Sequence, residues 1–360
     1  MSMTISPRLA SPSARSLSRD DHEQVVIRQD PETGLRLILA VHSTVLGPAL
    51  GGMRIRRYPG GLREALDDVM ALARTMTLKA SAAGLDLGGG KAVVLDDGDA
   101  SRREERLVGA ARAIDALGGA YVTAEDIGTT TADMDLMSGH SRYVVGRSVG
   151  NGGGGDPSPI TAQTVLQAVR VGLEAATGSA ELQGRRVGVI GLGKVGGALA
   201  ASLAGAGARV TGCDLDEDRA RRLAEEHGLE LAPSAEALLS MELDVLSPCA
   251  AGGTIDDALA GSIDCSVVAG AANNPLTGRS VADRLARRGI LYVPDFLANC
   301  GGLIHVAREW YGEDGPDECL LVERAGVSLE RAIATAGSEG TTPLEVAERQ
   351  ALERVDAGRP

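Results

Sequence analysis

The chain has 360 residues, 44% of them hydrophobic, which suits two domains that each bury a core better than one. Its formal net charge of −13 at pH 7 and isoelectric point near 5.0 argue against nucleic acid or an anionic membrane as a partner. The five cysteines, Cys213, Cys249, Cys265, Cys300 and Cys319, form no CxxC pair and no His/Cys ligand cluster, so neither a disulfide framework nor a metal site is expected, and reduced thiols in a cytoplasm are.

No apolar run approaches the roughly 20 residues of a membrane span. The first 20 residues, rich in Ser, Arg and Pro, are expected to form a disordered leader. With 2% aromatic residues, the core has to come from Ala, Val, Leu and Ile. The fold class expected is α/β, in two domains: a mixed α/β domain over 21–150, completed by C-terminal helices at about 330–360, and a second α/β domain over 151–329.

In chain order, two alternating apolar runs flank Asp30-Pro-Glu-Thr-Gly34, which predicts a β-hairpin over 23–41. Gly47-Pro-Ala-Leu-Gly-Gly-Met-Arg54 is expected as a glycine-bearing loop that brings backbone close to a small ligand. Over 61–79, Leu62, Ala65, Leu66, Val69, Met70, Ala73 and Met76 recur at helical spacing, so a helix delivers Lys79 at its C-terminal end. The segment after it runs through small and apolar residues to Gly88-Gly-Gly-Lys91 and a short strand over 92–95. Glycines admit close backbone approach, while apolar surroundings and a second cation disfavour an ammonium, so this stretch suits a lysine acting as a base. A helix end with Lys79 favouring its dipole, followed by a plain loop, explains the same spacing.

A helix around 101–117 precedes Tyr121-Val-Thr-Ala-Glu-Asp126, a strand that runs into a polar loop. Carboxylates at the C-terminal ends of strands are favoured places for chemistry, which makes Asp126 and Glu125 candidates, although Asp126 would also serve as a cap for the following helix. Asn151-Gly-Gly-Gly-Gly-Asp-Pro157 is the expected hinge, with Thr161 capping the next helix. Then Arg186-Val-Gly-Val-Ile-Gly-Leu-Gly-Lys-Val-Gly196 gives strand, Gly-x-Gly-x-x-Gly turn and helix, and a second strand ends at Asp214, about 20 residues on. Gly191 makes the turn, Gly193 admits the pyrophosphate and Gly196 lets helix and strand pack. The helix N-terminus supplies N–H groups to the phosphates, and an acid at 214 favours NAD over NADP, softened by Arg219 and Arg221. Strands at 244–246 and 266–269 run into small-residue loops at 247–253 and 270–275, on the sheet edge where the nicotinamide half belongs. Residues 318–335 and 343–356 are amphipathic helices expected to close over the first domain.

From about His22 to Tyr311 the chain resembles the glutamate, leucine, valine and phenylalanine dehydrogenase family, in its leucine/valine/phenylalanine branch. The resemblance is carried by Gly51-Gly-Met-Arg54, Lys79 through Gly-Gly-Gly-Lys91, Thr123-Ala-Glu-Asp-Ile-Gly128, Asp156-Pro-Ser-Pro159, Gly-Leu-Gly-Lys-Val-Gly196, Ala269-Gly-Ala-Ala-Asn-Asn274 and Pro294-Asp-Phe-Leu-Ala-Asn-Cys-Gly-Gly302. It implies two domains separated by a cleft that closes, and reversible oxidative deamination of an L-amino acid with NAD. Lys79 would bind the substrate carboxylate, Lys91 would be the general base and Asp126 would exchange protons with the amino group. It further implies substrate contacts at Gly51, Gly52, Leu50, Ala124, Leu303 and Val306. Cofactor contacts are implied at Thr161, Gly191, Leu192, Gly193, Lys194, Val195, Gly196, Asp214, Cys249, Ala250, Ala271, Asn273, Asn274 and Asn299.

The four apolar pocket positions exclude glutamate, and a leucine at 50 favours branched aliphatic substrates over phenylalanine. Cys300 departs from the family's alanine, and residues 152–155 are all glycine where a serine is common. A homo-oligomer of two, four or eight subunits is expected. Two other functions fit parts of the sequence. One is a non-catalytic NAD or amino-acid sensor, against which the three retained polar residues argue. The other is a hydroxy-acid dehydrogenase, which needs a histidine–carboxylate pair, and His305 has no evident partner in sequence.

Overall fold

In the computed structural model the described residues are 3–5, 22–250, 252–313 and 315–358. The expected leader lies outside them, apart from residues 3–5. The chain divides into two units, one holding the residues through Pro157 with Leu303–Leu321 and the end of the chain from Ala351, the other holding Ser158–Gly302 and Val322–Gln350.

The first unit is built on a mixed sheet of β1 (Met3–Ile5), β2 (Gln24–Asp30), β3 (Leu35–Ser43), β4 (Ala49–Arg56), β5 (Gly88–Leu95) and β6 (Tyr121–Glu125), in the order β1-β2-β3-β5-β4-β6. β2 and β3 form the expected hairpin, closed at Asp30 opposite Leu35, with Gly34 at φ 74° in its turn. β4 runs parallel to both β5 and β6, and β3 pairs antiparallel with β5. Helix α1 (Gly61–Ala82) lays Ala65, Val69 and Ala73, four residues apart, on Ile38, Ala40, Val93 and Leu95 of β3 and β5. Helix α2 (Arg103–Asp115) buries Leu107, Ala110, Ala111 and Ile114. Helix α3 (Thr131–Ser138) starts at a capping box of Thr130 and Asp133.

Two expectations fail here for one reason. The glycine-bearing segment over 47–54 is a loop only at Gly47 and Pro48 and from Ala49 onward is the interior strand β4, and Gly88, Gly89 and Gly90 belong to strand β5, which begins four residues before the strand expected at 92. Glycine is a poor strand former by propensity. Here it is required by packing: a Cβ on Gly51 would lie 1.9 Å from the Gly90 carbonyl oxygen, and one on Gly89 2.0 Å from the Thr77 amide of α1. Helix and strand approach so closely that no side chain fits between them.

In the second unit, helix α4 (Ser158–Thr177) precedes β7 (Arg186–Ile190), α5 (Lys194–Gly205), β8 (Arg209–Cys213), α6 (Glu217–His227), β9 (Glu230–Leu231), α7 (Ala235–Leu239), β10 (Val245–Pro248), α8 (Asp257–Ala260), β11 (Val267–Val268), α9 (Arg279–Arg287), β12 (Leu291–Tyr292) and α10 (Asp295–Ala298). The sheet order is β12-β11-β10-β7-β8-β9 and every pairing is parallel, a doubly wound sheet whose order reverses between β7 and β10. α4 begins three residues before Thr161, so Thr161 lies in its first turn and does not cap it.

The last helices are α11 (Gly301–Tyr311), α12 (Glu318–Glu339) and α13 (Pro343–Ala357). Their assignment differs from the expected boundaries of 150/151 and 330. Residues 151–157 and Leu303–Leu321 group with the first unit. There Glu309 accepts the amides of Gly146 and Gly154 and the Arg147 guanidinium, and the Tyr311 hydroxyl accepts the amide of Asp86. Most of α12 and the start of α13 group with the second unit, where Gly326 packs against Gln167 of α4 and Glu348 pairs with Arg279. Only the end of α13 returns to the first unit, through Arg354 on the Leu85 carbonyl and Asp86 and through the Ser81 hydroxyl on the Ala351 carbonyl.

Candidate active site

Three neighbouring parallel strands bring charge into the interior of the first unit. β5 delivers Lys91, the C-terminal end of β6 delivers Asp126, and β4 between them delivers Arg54. Lys91 Nζ lies 2.8 Å from Asp126 Oδ2, and Arg54 Nε donates to the same oxygen at 3.0 Å. Arg54 also reaches Asp68 of α1 at 3.2 Å, and the Tyr58 hydroxyl donates to that carboxylate at 2.6 Å. Burial alone would push the Asp126 carboxyl up, but the two cations outweigh it and hold the group at about 2. Burial and the Asp68 carboxylate push the Tyr58 hydroxyl up, which keeps it a donor.

Asp126 therefore takes no part in starting α3; its amide is taken by the Thr129 hydroxyl, and Thr130 is the cap. Gly52 makes room for it, since a Cβ there would lie 2.7 Å from Asp126 Cβ. The Gly51 carbonyl accepts from the buried Tyr121 hydroxyl at 2.6 Å. Lys79 sits in the last turn of α1, buried, on the helix packed against the strand that carries Lys91. Leu50, Ala124, Leu303 and Val306 are all buried. Ala124 and Val306 meet at Gly146, where a Cβ would lie 3.8 Å from Ala124 Cβ and 3.7 Å from Val306 Cγ1.

In the second unit the expected turn joins β7 to α5. Gly191 has φ 94°, its amide donates to the Cys213 carbonyl, and Gly193 is the N-cap of α5. A Cβ on Gly196 would lie 1.9 Å from the Gly191 oxygen, whereas one on Gly193 meets nothing within 4 Å, which leaves open space over the first amides of α5, where Leu192, Lys194 and Val195 flank it. A pyrophosphate fits there. Asp214, at the end of β8, accepts from the Leu192 amide at 2.6 Å and from Arg219 at 2.7 Å. Burial opposes its charge, but those donors and the Asp216 amide hold the carboxyl below its usual value. Arg219 also pairs with Asp216, and Arg221 with Asp218.

The loops after β10 and β11 lie on the same edge. Ala250 packs on Gly191, and Cys249, whose thiol burial pushes up, touches Ser247. Asn299 donates to the Ala271 carbonyl at 3.0 Å and to the Asn273 side chain at 2.9 Å, and its own Oδ1 is buried without a protein partner, an acceptor that fits a carboxamide N–H of nicotinamide. Thr161 lies buried on α4, and Thr164, one turn on, bonds the Gly301 amide. These residues fit NAD.

Sequence reading missed Arg54 and Asp68, whose only signal was the arginine in Gly-Gly-Met-Arg, and it missed Tyr292 and Asp295. It also missed the partner of His305: Nδ1 lies 2.8 Å from Glu318 Oε1, across 13 residues of chain. The other ring nitrogen faces Gly154 so closely that a Cβ there would lie 2.5 Å from it, which covers the atom a hydroxy-acid dehydrogenase would need exposed. Among the described residues no group of three or more His, Cys, Asp or Glu side chains is placed to hold a metal, and no helix is long and apolar enough to cross a membrane.

A charged lysine–aspartate pair in one unit and a dinucleotide turn in the other define a nucleotide-dependent oxidoreductase. The family profile described as Glu/Leu/Phe/Val dehydrogenase, dimerisation domain, matches residues 22–143, and that of Glutamate/Leucine/Phenylalanine/Valine dehydrogenase matches 214–315. Between them, residues 161–251 match the NAD binding domain of D-isomer specific 2-hydroxyacid dehydrogenases. The chain is 43% identical over 341 residues to a valine dehydrogenase of Streptomyces virginiae, covering 94% of this chain and 95% of that one. It is 38% identical over 343 residues to a leucine dehydrogenase of Bacillus subtilis, covering 95% and 94%. The crystal structure of L-tryptophan dehydrogenase from Nostoc punctiforme superposes with a TM-score of 0.81 at 32% identity, covering 94% and 97%. The chain belongs to the glutamate/leucine/phenylalanine/valine dehydrogenase family, in its leucine/valine branch, and is an NAD-dependent amino acid dehydrogenase.

Proposed function

We propose that the protein oxidatively and reversibly deaminates branched-chain L-amino acids, valine, leucine or isoleucine, to the 2-oxo acid and ammonia, and that Lys91 and Asp126 carry the proton chemistry. The observation that supports it most is the Lys91–Asp126 contact of 2.8 Å, beside which the four side chains assigned to the substrate pocket are all apolar and buried. Bound NAD supplies a hydride acceptor for the substrate Cα. The chain's residues do the rest. Lys79, buried at the end of α1, pairs with the substrate carboxylate. Asp126, held ionised, accepts a proton from the substrate ammonium and returns one to the departing amine. Lys91, as the neutral amine left once its proton has gone to solvent, takes the proton of the water that attacks the imine. Arg54 keeps the Asp126 carboxylate aimed at Lys91.

Leu50, Ala124, Leu303 and Val306 offer an aliphatic side chain no polar partner, so a charged side chain such as that of glutamate is rejected by desolvation. The acting form is a cytoplasmic homo-oligomer, in keeping with the dimerisation-domain profile over 22–143. The test is NADH formation by the purified protein with L-Val, L-Leu, L-Ile, L-Phe and L-Glu, with Lys91→Ala beside it. Branched-chain turnover that is lost in the variant is expected. A preference for phenylalanine would overturn the pocket assignment and leave the chemistry, and no turnover with any of the five would overturn both.

A further inference from the structure

Asn274 is the only non-glycine residue at positive φ among the described residues, at φ 48°. An L side chain in that region costs energy, so something must hold it there. Its amide donates to Asp295 Oδ2 at 2.7 Å, and its carbonyl accepts from the Gly253 amide at 2.8 Å. Asp295 is itself buried, and its second oxygen accepts from the Tyr292 hydroxyl at 3.0 Å. Burial and the adjacent carboxylate push the Tyr292 hydroxyl well above its ordinary value, so it remains a donor throughout the working range. Asn299 stands one helical turn after Asp295, and its amide donates to the Asp295 carbonyl at 2.8 Å. The two side chains thus hold opposite ends of one loop: Asn299 grips Ala271 and Asn273, and Asp295 grips Asn274.

We propose that Asp295, fixed by the Tyr292 hydroxyl, is a positioning residue for the nicotinamide end of the cofactor site, holding Asn274 left-handed so that the 271–274 loop keeps its shape around the unpartnered Asn299 oxygen. The proposal rests on the assignment of this sheet edge to the nicotinamide half. Asp295 touches no ligand in this scheme; it acts through the backbone of Asn274. A neutral amide at 295 weakens the arrangement, because the Asn274 N–H then meets an uncharged oxygen in place of a carboxylate and the Tyr292 hydroxyl has to turn from donor to acceptor.

The test compares two ligands that share every group except the nicotinamide. NADH and ADP-ribose binding are titrated against the wild type, Asp295→Asn and Tyr292→Phe. Asp295→Asn is expected to weaken NADH at least about tenfold, the effect of one lost hydrogen bond to a charged group, and to leave ADP-ribose within about twofold. Tyr292→Phe should act in the same direction by about threefold, with the same selectivity. Equal weakening of both ligands in either variant, or unchanged NADH binding in both, overturns the proposal. If Asp295→Asn does not fold, the selectivity seen with Tyr292→Phe decides it by the same criterion. Wild-type protein that binds ADP-ribose as tightly as NADH overturns it too, and wild type that binds neither overturns the cofactor assignment beneath it.

Discussion

Gly88, Gly89 and Gly90 lie inside strand β5, none at positive φ, and the space their missing side chains would fill is taken by the backbone of α1, by the Ser43 carbonyl and by Tyr121. Gly191 and Gly193 stand at the end of a strand, one at φ 94°, the other facing open space. Both stretches are glycine-rich, yet in the first protein fills the space of every missing side chain, whereas in the second Ala250 crowds Gly191 and only Gly193 leaves open space. In the first unit backbone packs against backbone, and the proposed chemistry falls to the side chains of buried Lys91 and half-buried Asp126 and Arg54. In the second, open space lies over the first backbone amides of α5, where a pyrophosphate fits.

The largest expected effect separates the two regions by function. Lys91→Ala should lower kcat by about 10²–10⁴-fold, the range for loss of a general base, while the NADH dissociation constant measured by fluorescence stays near that of the wild type. An equal loss of NADH affinity would mean that the first unit's charges govern cofactor binding as well.

A matched pair of alanines tests the two kinds of glycine. Gly89→Ala places a methyl 2.0 Å from the Thr77 amide and should cost about 1–3 kcal/mol of stability in urea unfolding. Gly193→Ala meets nothing and should leave the unfolding midpoint alone while weakening NADH. The reverse pattern would erase the distinction.

Asp126 links charge to stability. Its carboxyl falls from an ordinary 3.8 to about 2, so the folded state gains in full above pH 4 and loses the gain as pH falls from about 4 to about 2. The amount is about 2 kcal/mol, and Asp126→Asn should flatten that segment of the stability–pH curve. The smallest effect belongs to the pocket. Val306→Ala removes two methyls beside Ala124 and should shift the ratio of kcat/KM for leucine over valine by about tenfold.

Much of this was legible in the sequence where the pattern was local. The hairpin closed by Gly34, the helix ending near Lys79 and the turn at Gly191 each depend on residues within a few positions of one another, and Asp214 was legible through its fixed spacing from that turn. What escaped depended on partners far along the chain. Strand β4 is invisible because its glycines answer to Gly90 and Asp126, neither of which is near in sequence. Arg54 meets Asp126 across 72 residues, and Asp295 meets Asn274 across 21. Amphipathic spacing in the last helices states that a face is buried and not against what, so the grouping of Val322–Gln350 with the second unit is not readable from it.

The tight seating of β4 and β5 under α1 has a bearing on descent. Around Gly51, Gly52 and Gly89 a single added carbon meets backbone or Asp126 at 2.7 Å or less, so that part of the sheet has almost no neutral neighbours in sequence space. At Gly146 an added carbon would meet Val306 and Ala124 only at ordinary contact distance, 3.7 and 3.8 Å. If positions 124 and 306 line the substrate side chain as proposed, a lineage can exchange one aliphatic diet for another by drifting there, without passing through an ancestor that has lost its proton machinery.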